Sequence, residues 1–396
     1  MARLGDLCRF INGDRGKNYP SQAEISSTGD VPFINAGHIV GGKLDFSDMN
    51  YISEEKYNQL NSGKIQENDV LYCLRGSLGK EAIIKGIPKG AIASSLVIIR
   101  PDSRLINSDY LFYALESPTV QEQMMQANNG SSQPNLSAKS VSDYTFSLPT
   151  INEQCEIVSK LAKVSEVIAL RKEQLDKLDR LVKSRFIELF GDPMANPMGW
   201  DRVNISAVVG GKVSNGFFAK RDDYCDDGNV KVLGVAHVVN RMYSNIEDLP
   251  TTNGTETDVA KYSVKYGDML FCRSSLVAAG IGKASVVPQG TPNNVLFECH
   301  VIRLPLDLDK CVPEFMQVLS TTEYFRNQVI AQSKTATMTT IGQDGILKTD
   351  IILPPLEMQK QFLQFVEQTE KSKLAIQQSH DKLELLKKSL MQEYFG

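Results

Sequence analysis

No stretch of the 396-residue chain approaches the ~20 consecutive apolar residues that a membrane-crossing helix requires. The opening MARLGDLCRF carries Arg3, Asp6 and Arg9, which excludes the unbroken apolar core of a secretory signal. Histidine occurs at 38, 237, 300 and 380 only, too sparsely to suggest a metal centre. Seven cysteines, an odd number, lie at 8, 73, 155, 225, 272, 299 and 311, and none has CxxC spacing. That excludes a disulfide framework or a zinc ribbon and points to a reduced, cytoplasmic protein.

Catalytic signatures are missing too. GDRGK (13–17), GSLGK (76–80) and GIGK (280–283) lack the four-residue gap and the Ser or Thr of a phosphate loop. No glycine-rich turn joins a parallel strand to a helix in the dinucleotide pattern. Asn196-Pro197-Met198-Gly199 lacks the second proline and the ring of an amino-methyltransferase motif, and Glu54-Glu55-Lys56 is an isolated Glu-x-Lys. The expectation is a chain with no catalytic centre, no metal and no cofactor of its own.

What is present is ordinary in bulk: 42% hydrophobic, 23% charged, net charge −4, enough length for two or three domains. Net charge alone argues weakly against nucleic acid, because phosphate binding draws on clustered Lys and Arg.

The informative feature is repetition. LPTINEQCEIVSKL begins at Leu148, and LPPLEMQKQFLQFV begins 205 residues later at Leu353. SRFIELFG (184–191) returns as SLMQEYFG (389–396), again 205 on. VPFINAGHI (31–39) parallels VKVLGVAHV (230–238), and DVLYCLRG (69–76) parallels DMLFCRSS (268–275), each offset by 199. The last 44 residues of each copy keep their length while their letters drift. That behaviour fits a helix, where one inserted residue rotates everything beyond it by ~100°.

Both invariant segments read as long helices of about 37 residues, or ~55 Å. In the first, Ile157, Leu161, Val164, Ile168, Leu175, Leu178, Val182 and Leu189 keep a heptad, with Arg171 and Arg185 in two of its slots. In the second, Phe362, Val366, Ile376, Leu383 and Leu390 share the seam with Lys373, His380 and Lys387. Such stripes are expected to pack on each other as a coiled coil, the alternative being that each helix packs on its own preceding head. The fold class expected is mixed α/β (α+β): two pseudo-repeated, strand-rich heads joined by two long helices. The division is 1–148 and 192–352 for the heads, 149–191 and 353–396 for the helices. One short helix is expected in each head, over 109–126 and 314–332.

The heads carry local positive charge. Residues 71–100 hold Arg75, Lys80, Lys85, Lys89 and Arg100 against Glu81, a net of +4; residues 270–305 hold Arg273, Lys283 and Arg303 against Glu298, a net of +2. Basic segments interspersed with Asn, Gln, Ser and Tyr suit phosphate positioning and base-edge reading. A two-headed regulator of DNA and a coiled-coil protein adaptor also remain open on these grounds.

The layout resembles the specificity subunit of type I restriction–modification systems over essentially the whole chain. The residues that carry the resemblance are the two helix openings, LPTINEQCEIVSKL with Glu153-Gln154 and LPPLEMQKQFLQFV with Glu357 and Gln359. FGDP (190–193) with PMGW (197–200), LGDLCRFINGDRGKNY (4–19) and the loop NGSSQPNLSAKSV (129–141) are also similar to that family. SKTATMTTIGQDGI (333–346) departs from it in lacking the Gln-Pro-Asn. The resemblance implies that each head is a target recognition domain reading one half of a split sequence in double-stranded DNA. It implies that the helices form an antiparallel coiled coil that sets the gap and docks two modification (methyltransferase) subunits. Restriction subunits would join for cleavage, and S-adenosylmethionine, ATP and Mg would belong to those partners.

Candidate DNA contacts follow from residue chemistry. In the first head they are Arg15, Lys17, Asn18, Tyr19, His38, Arg75, Ser77, Lys80, Gln133 and Asn135. In the second they are Asn215, Phe217, Lys220, Arg221, His237, Arg273, Ser275 and Lys283. Arg and Lys match the guanine O6/N7 edge and Asn matches adenine, while Tyr19 or Phe217 could stack on a displaced base. Cys73 and Cys272 are expected in the core, and Trp200 at a domain junction.

Overall fold

The computed structural model describes residues 1–128 and 134–396. Two compact units divide the chain: Met1–Lys172 with Gln378–Gly396, and Glu173–Gln377.

In the first unit the apolar run Val70-Leu71-Tyr72-Cys73 becomes an inner strand. The antiparallel sheet has the order Cys8–Asn12, Leu96–Pro101, Val70–Cys73, Glu81–Ile83. Val70 and Tyr72 join a core with Leu4, Val97 and Tyr110, while Leu71 and Cys73 join a second core with Ile34, Ile92 and Ile98. Neither face meets water, so the strand reads as a continuous apolar run rather than an alternation. A smaller sheet sets Val31–Ile34 antiparallel to Tyr51–Ile52 and parallel to Ala91–Ile92.

The second unit repeats this design. Its larger sheet runs Ser214–Asn215, Val301–Pro305, Asp268–Cys272, Ala284–Val286. Its smaller sheet sets Val230–Leu233 antiparallel to Thr251–Thr252 and parallel to Val295–Phe297. The α+β class and the strand-rich, duplicated heads are as the sequence predicts.

The single helix expected in each head is two. Ser108–Glu116 and Pro118–Ala127 are separate, as are Pro313–Ser320 and Glu323–Ala331. Ser117 ends one helix and caps the next through Val120 N–H, with Pro118 in the first-turn position that favours a helix start. Thr322 caps in the same way in the second unit.

Each invariant segment forms one helix of 40 residues, α1 (Ile151–Phe190) and α2 (Leu356–Phe395), ~60 Å long at 1.5 Å per residue. Thr150 and Glu153 make a reciprocal capping box at the start of α1, with Glu153 Oε2 accepting from Thr150 N–H at 2.9 Å. The residue after the box, Gln154, is fully buried. Its Oε1 accepts from Asn107 N–H at 2.8 Å, and its Nε2 donates to Pro149 O at 2.9 Å and Leu105 O at 3.3 Å. Gln359, also fully buried, repeats the set with Val312 N–H at 2.9 Å, Pro354 O at 2.8 Å and Lys310 O at 3.4 Å. These glutamines bolt each long helix to the head that precedes it.

In the second unit Asp179 pairs with Lys373 at 2.7 Å, Arg185 lies 5.9 Å over Phe365, and Phe186 meets Phe362 at 5.7 Å. One number falls as the other rises, so the segments run antiparallel. The end of α1 drives Phe186 and Phe190 into a cluster with Phe315 and Phe362, with centroids 4.9–5.7 Å apart. In the first unit the end of α2 does the same with Met391 and Phe395, which share a core with Tyr110 and Leu161. Lys160 Nζ donates to the Tyr394 hydroxyl at 3.4 Å.

The polar seam positions are half-buried. Lys373 serves Asp179 and Glu370, Lys387 reaches Glu116 at 3.3 Å, and His380 lies beside Asp381 and Glu384. Gly191 ends α1 with φ +75°, where a Cβ would come within 2.5 Å of Pro197. Trp200 donates its indole N–H to Phe190 O at 2.9 Å, so the lone tryptophan packs where α1 hands over to the second head.

Candidate nucleic-acid interface

The first head builds a hollow of about 380 Å³ where three loops converge. Asn12 and Arg15 come from the end of the first sheet strand, Arg75 follows Cys73, and Asn135 and Ser137 precede the final short helix. Cys73 positions the middle loop: its thiol, fully buried, donates to Arg75 O at 3.1 Å. Arg75 and Asn135 pair as a backbone bridge, and Arg75 Nε donates to Asn135 Oδ1 at 3.3 Å. Leu136 N–H to Leu74 O at 2.8 Å closes the contact. Two guanidinium groups and two amides thus share a concave, solvent-open surface, the groups that pair with phosphate or guanine and with adenine.

Other candidates fall around this hollow rather than in it. Lys17 is exposed and Asn18 half-buried on the same loop. That loop is fixed by Asp14, which accepts from Arg15 and Asn61 N–H groups, each at 2.7 Å. Ser77 is exposed, and Lys80 Nζ turns toward Ala36 O at 3.5 Å. Gln133 lies outside the described residues.

The second head keeps the frame and changes the letters. Cys272 donates to Ser274 O at 3.2 Å, and Ser274 faces Thr340 in a short strand pair, as Arg75 faces Asn135. The counterpart of Arg75 is therefore Ser274, and the matching of Arg75 with Arg273 slips by one residue. Arg273 takes the place of Leu74 and gives its Nη1 to Cys299 O at 3.1 Å. Ser275 accepts from Val277 N–H at 3.3 Å. Asn215 corresponds to Asn12 and receives Gln343 Nε2 at 3.2 Å. Lys283 leaves this group and turns to Asn240 Oδ1 at 2.8 Å. Lys220 and Arg221 are exposed, but Asp222, Asp223, Asp226 and Asp227 follow them closely in sequence.

Both aromatic candidates are half-buried against a second ring: Tyr19 packs edge-on against Phe33 at 5.7 Å, and Phe217 against Tyr262 at 5.9 Å. Its neighbour Phe218 is 68% exposed, with Leu276 at 82%. Consecutive residues of extended chain face opposite ways, so the pair in NGFF could have offered one ring to each side. Asn12, Thr340 and Gln343 were also missed; strand pairing, invisible in the letters, brings them in.

His38 and His237 serve their own turns. Nδ1 of His38 accepts from Asn35 N–H at 3.1 Å, and Nδ1 of His237 accepts from Gly234 N–H at 3.0 Å. Burial lowers both pKa values, which favours the neutral acceptor form.

The basic run of the first head is mostly engaged internally. Arg100 holds buried Asp69 through two bonds at 2.7 and 2.8 Å, Lys85 reaches Asp109 at 3.1 Å, and Lys89 pairs with Glu54. Arg75 and Lys80 are left without a carboxylate partner among the described residues.

Comparison with known proteins places this geometry. Residues 1–180 and 197–387 match the type I restriction modification DNA specificity domain family. The chain is 22% identical over 380 residues to the MjaVIII specificity subunit of Methanocaldococcus jannaschii, covering 91% of this chain and 83% of that one. It is 21% identical over 385 residues to the EcoKI specificity subunit of Escherichia coli K12, covering 89% and 79%. The crystal structure of an S subunit from M. genitalium superposes with TM-score 0.58 at 11% identity, covering 100% of this chain and 95% of that one.

Proposed function

The chain belongs to the type I restriction–modification specificity family, and from that premise we propose that it is the DNA-recognition subunit of such a complex. It carries no catalytic centre of its own. Each head reads one half of a split target in double-stranded DNA. The single observation that carries this reading is the duplicated frame: a buried cysteine positions a polar loop against a second loop in each head, with different side chains on it. A shared scaffold with different reading residues suits a two-part, asymmetric target.

The two helices support docking of two modification subunits. Val167, Leu170, Leu181 and Ile187 on α1, and Leu374, Leu385 and Leu386 on α2, are 37–68% exposed, more apolar surface than a finished helix normally leaves in water. Restriction subunits would join the same complex. S-adenosylmethionine, ATP and Mg would sit in those partners. No helix among the described residues is long and apolar enough to cross a membrane, which suits a cytoplasmic location.

The test is methylome sequencing in a methylation-free host that expresses this chain with its modification subunit. A split motif, methylated in both halves and lost when this chain is omitted, is the expected result. Absence of any methylation with a demonstrably active partner would defeat the proposal.

A further inference from the structure

The second unit contains a cavity of about 510 Å³, walled by α1, α2 and the head. Five cations line it, Lys183, Arg241, Lys283, Arg326 and Lys373, against two carboxylates, Asp179 and Glu370, a balance of +3. Lys373 takes both carboxylates, at 2.7 and 2.8 Å. The other four have no acidic partner among the described residues. Arg326 is the most exacting of them. Its Nη2 donates to Ala279 O at 3.2 Å, while its Nη1 is shut off from solvent with no hydrogen-bond partner. Lys283 rests on a neutral amide, Asn240. A desolvated guanidinium with an orphan donor is unfavourable, and an anion brought close offsets that.

The first unit has a groove built from the matching positions, and there Glu81, Glu116 and Glu384 outnumber Lys387 and Lys388. Gln121 stands where the second unit has Arg326, Glu116 where it has Thr321, Lys387 where it has Val182, and Glu81 where it has Ala284. Glu116 and Lys387 form an ion pair across that groove. The framework is repeated, but of the two matching linings only that of the second unit is net positive. General electrostatics of the fold would not produce this difference.

We propose that the second-unit cavity is a binding site for a small phosphate-bearing organic anion of mononucleotide size. Lys183, Lys283 and Arg326 provide the cationic wall, since Arg and Lys are the natural partners of phosphate oxygens. Val182, Met242 and Val318 provide an apolar wall for the organic part, and the volume falls in the range of small-molecule sites.

The experiment is calorimetric titration of the full-length chain with AMP, ATP and inorganic phosphate. The expected result is saturable binding of a nucleotide, weakened about tenfold, or ~1.4 kcal/mol, in Arg326→Gln, which installs the first unit's residue. Lys183→Glu, on an exposed helix face, should weaken binding similarly while circular dichroism stays unchanged. Lys388→Glu, the matching change in the first unit, should leave it unaltered. Binding of inorganic phosphate with the same sensitivity would support an anion site but overturn the organic component. No saturable nucleotide binding at millimolar concentration overturns the proposal. So does binding indifferent to both second-unit variants. If these variants instead weaken duplex DNA with no nucleotide binding, the cations belong to the DNA surface and the proposal also fails.

Discussion

Gln154 and Gln359, 205 positions apart, make the same three hydrogen bonds, each joining a helix start to a backbone N–H and a carbonyl of its own head and to the carbonyl of the proline that leads into the helix. Both side chains are fully buried. Replacing either with Ala leaves one N–H and two carbonyls without that partner. Each change should destabilise its unit by about 2–4 kcal/mol, measured by denaturant unfolding. Gln→Glu retains an acceptor for the N–H but loses both donors, so it should not rescue. Full stability in Gln359→Ala would show that the helix start is held by packing alone.

Arg75→Ala and Lys89→Ala should separate reading from structure. Both remove a cation from the same basic run. Arg75 faces the hollow with Asn135, whereas Lys89 is paired with Glu54. In the complex with modification subunits, Arg75→Ala should lower DNA affinity by about 1–3 kcal/mol and relax one half-site only. Lys89→Ala should leave affinity and its salt dependence unchanged. Equal loss from both would mean that bulk charge, not the hollow, binds DNA.

Glu81 predicts a pH dependence of the first unit. Burial pushes its pKa up to about 8, Glu116 adds to the rise, and Lys387 opposes it. One of its oxygens is buried without a partner, close to Tyr72. A carboxyl whose folded pKa is raised contributes fully below its unfolded value, about 4.5, and that contribution is lost as pH climbs through 8. The melting temperature should therefore fall between pH 5 and pH 8. Glu81→Gln should flatten the fall, with its largest benefit at the alkaline end. A parallel pH profile in the variant would exclude Glu81 as the cause.

Phe190 closes the cluster formed with Phe186, Phe315 and Phe362. Phe190→Ala should destabilise the second unit by about 3–5 kcal/mol, through lost burial and the cavity left behind. Differential scanning calorimetry should show the transition of that unit moving while the other stays.

Much of this was legible in the sequence because repetition is a long-range signal. The offset of 205 marked both helices, and the heptad through Ile157, Leu161 and Val164 marked the face that packs. Gln154 and Gln359 were visible as part of an opening motif, though their bonds were not. The site was harder. Arg75 and Asn135 both stood out, but 60 residues separate them and only strand pairing unites them. The slip between Arg273 and Ser274 arose because a frame set by Cys272 counts backbone positions, whereas charge matching counts letters. Tyr19 and Phe217 stood out as rings in glycine-bearing loops, but the neighbours that half-bury them did not. Their burial depends on Phe33 and Tyr262, which no local pattern ties to them. Pro118 was the sign that residues 109–126 hold two helices, overlooked because the apolar spacing continues across it.

The pairing of Arg100 with Asp69, Lys85 with Asp109 and Lys89 with Glu54 has a bearing on how a target is found among millions of base pairs. Attraction to arbitrary duplex grows with the number of cations free to displace counterions. A chain of net charge −4 that has already matched most of its basic run offers little to such sequence. Its search would leave few molecules stranded on bystander DNA, and the contrast between a correct site and its background would rest on the few groups, Arg75 foremost, kept unpaired for reading.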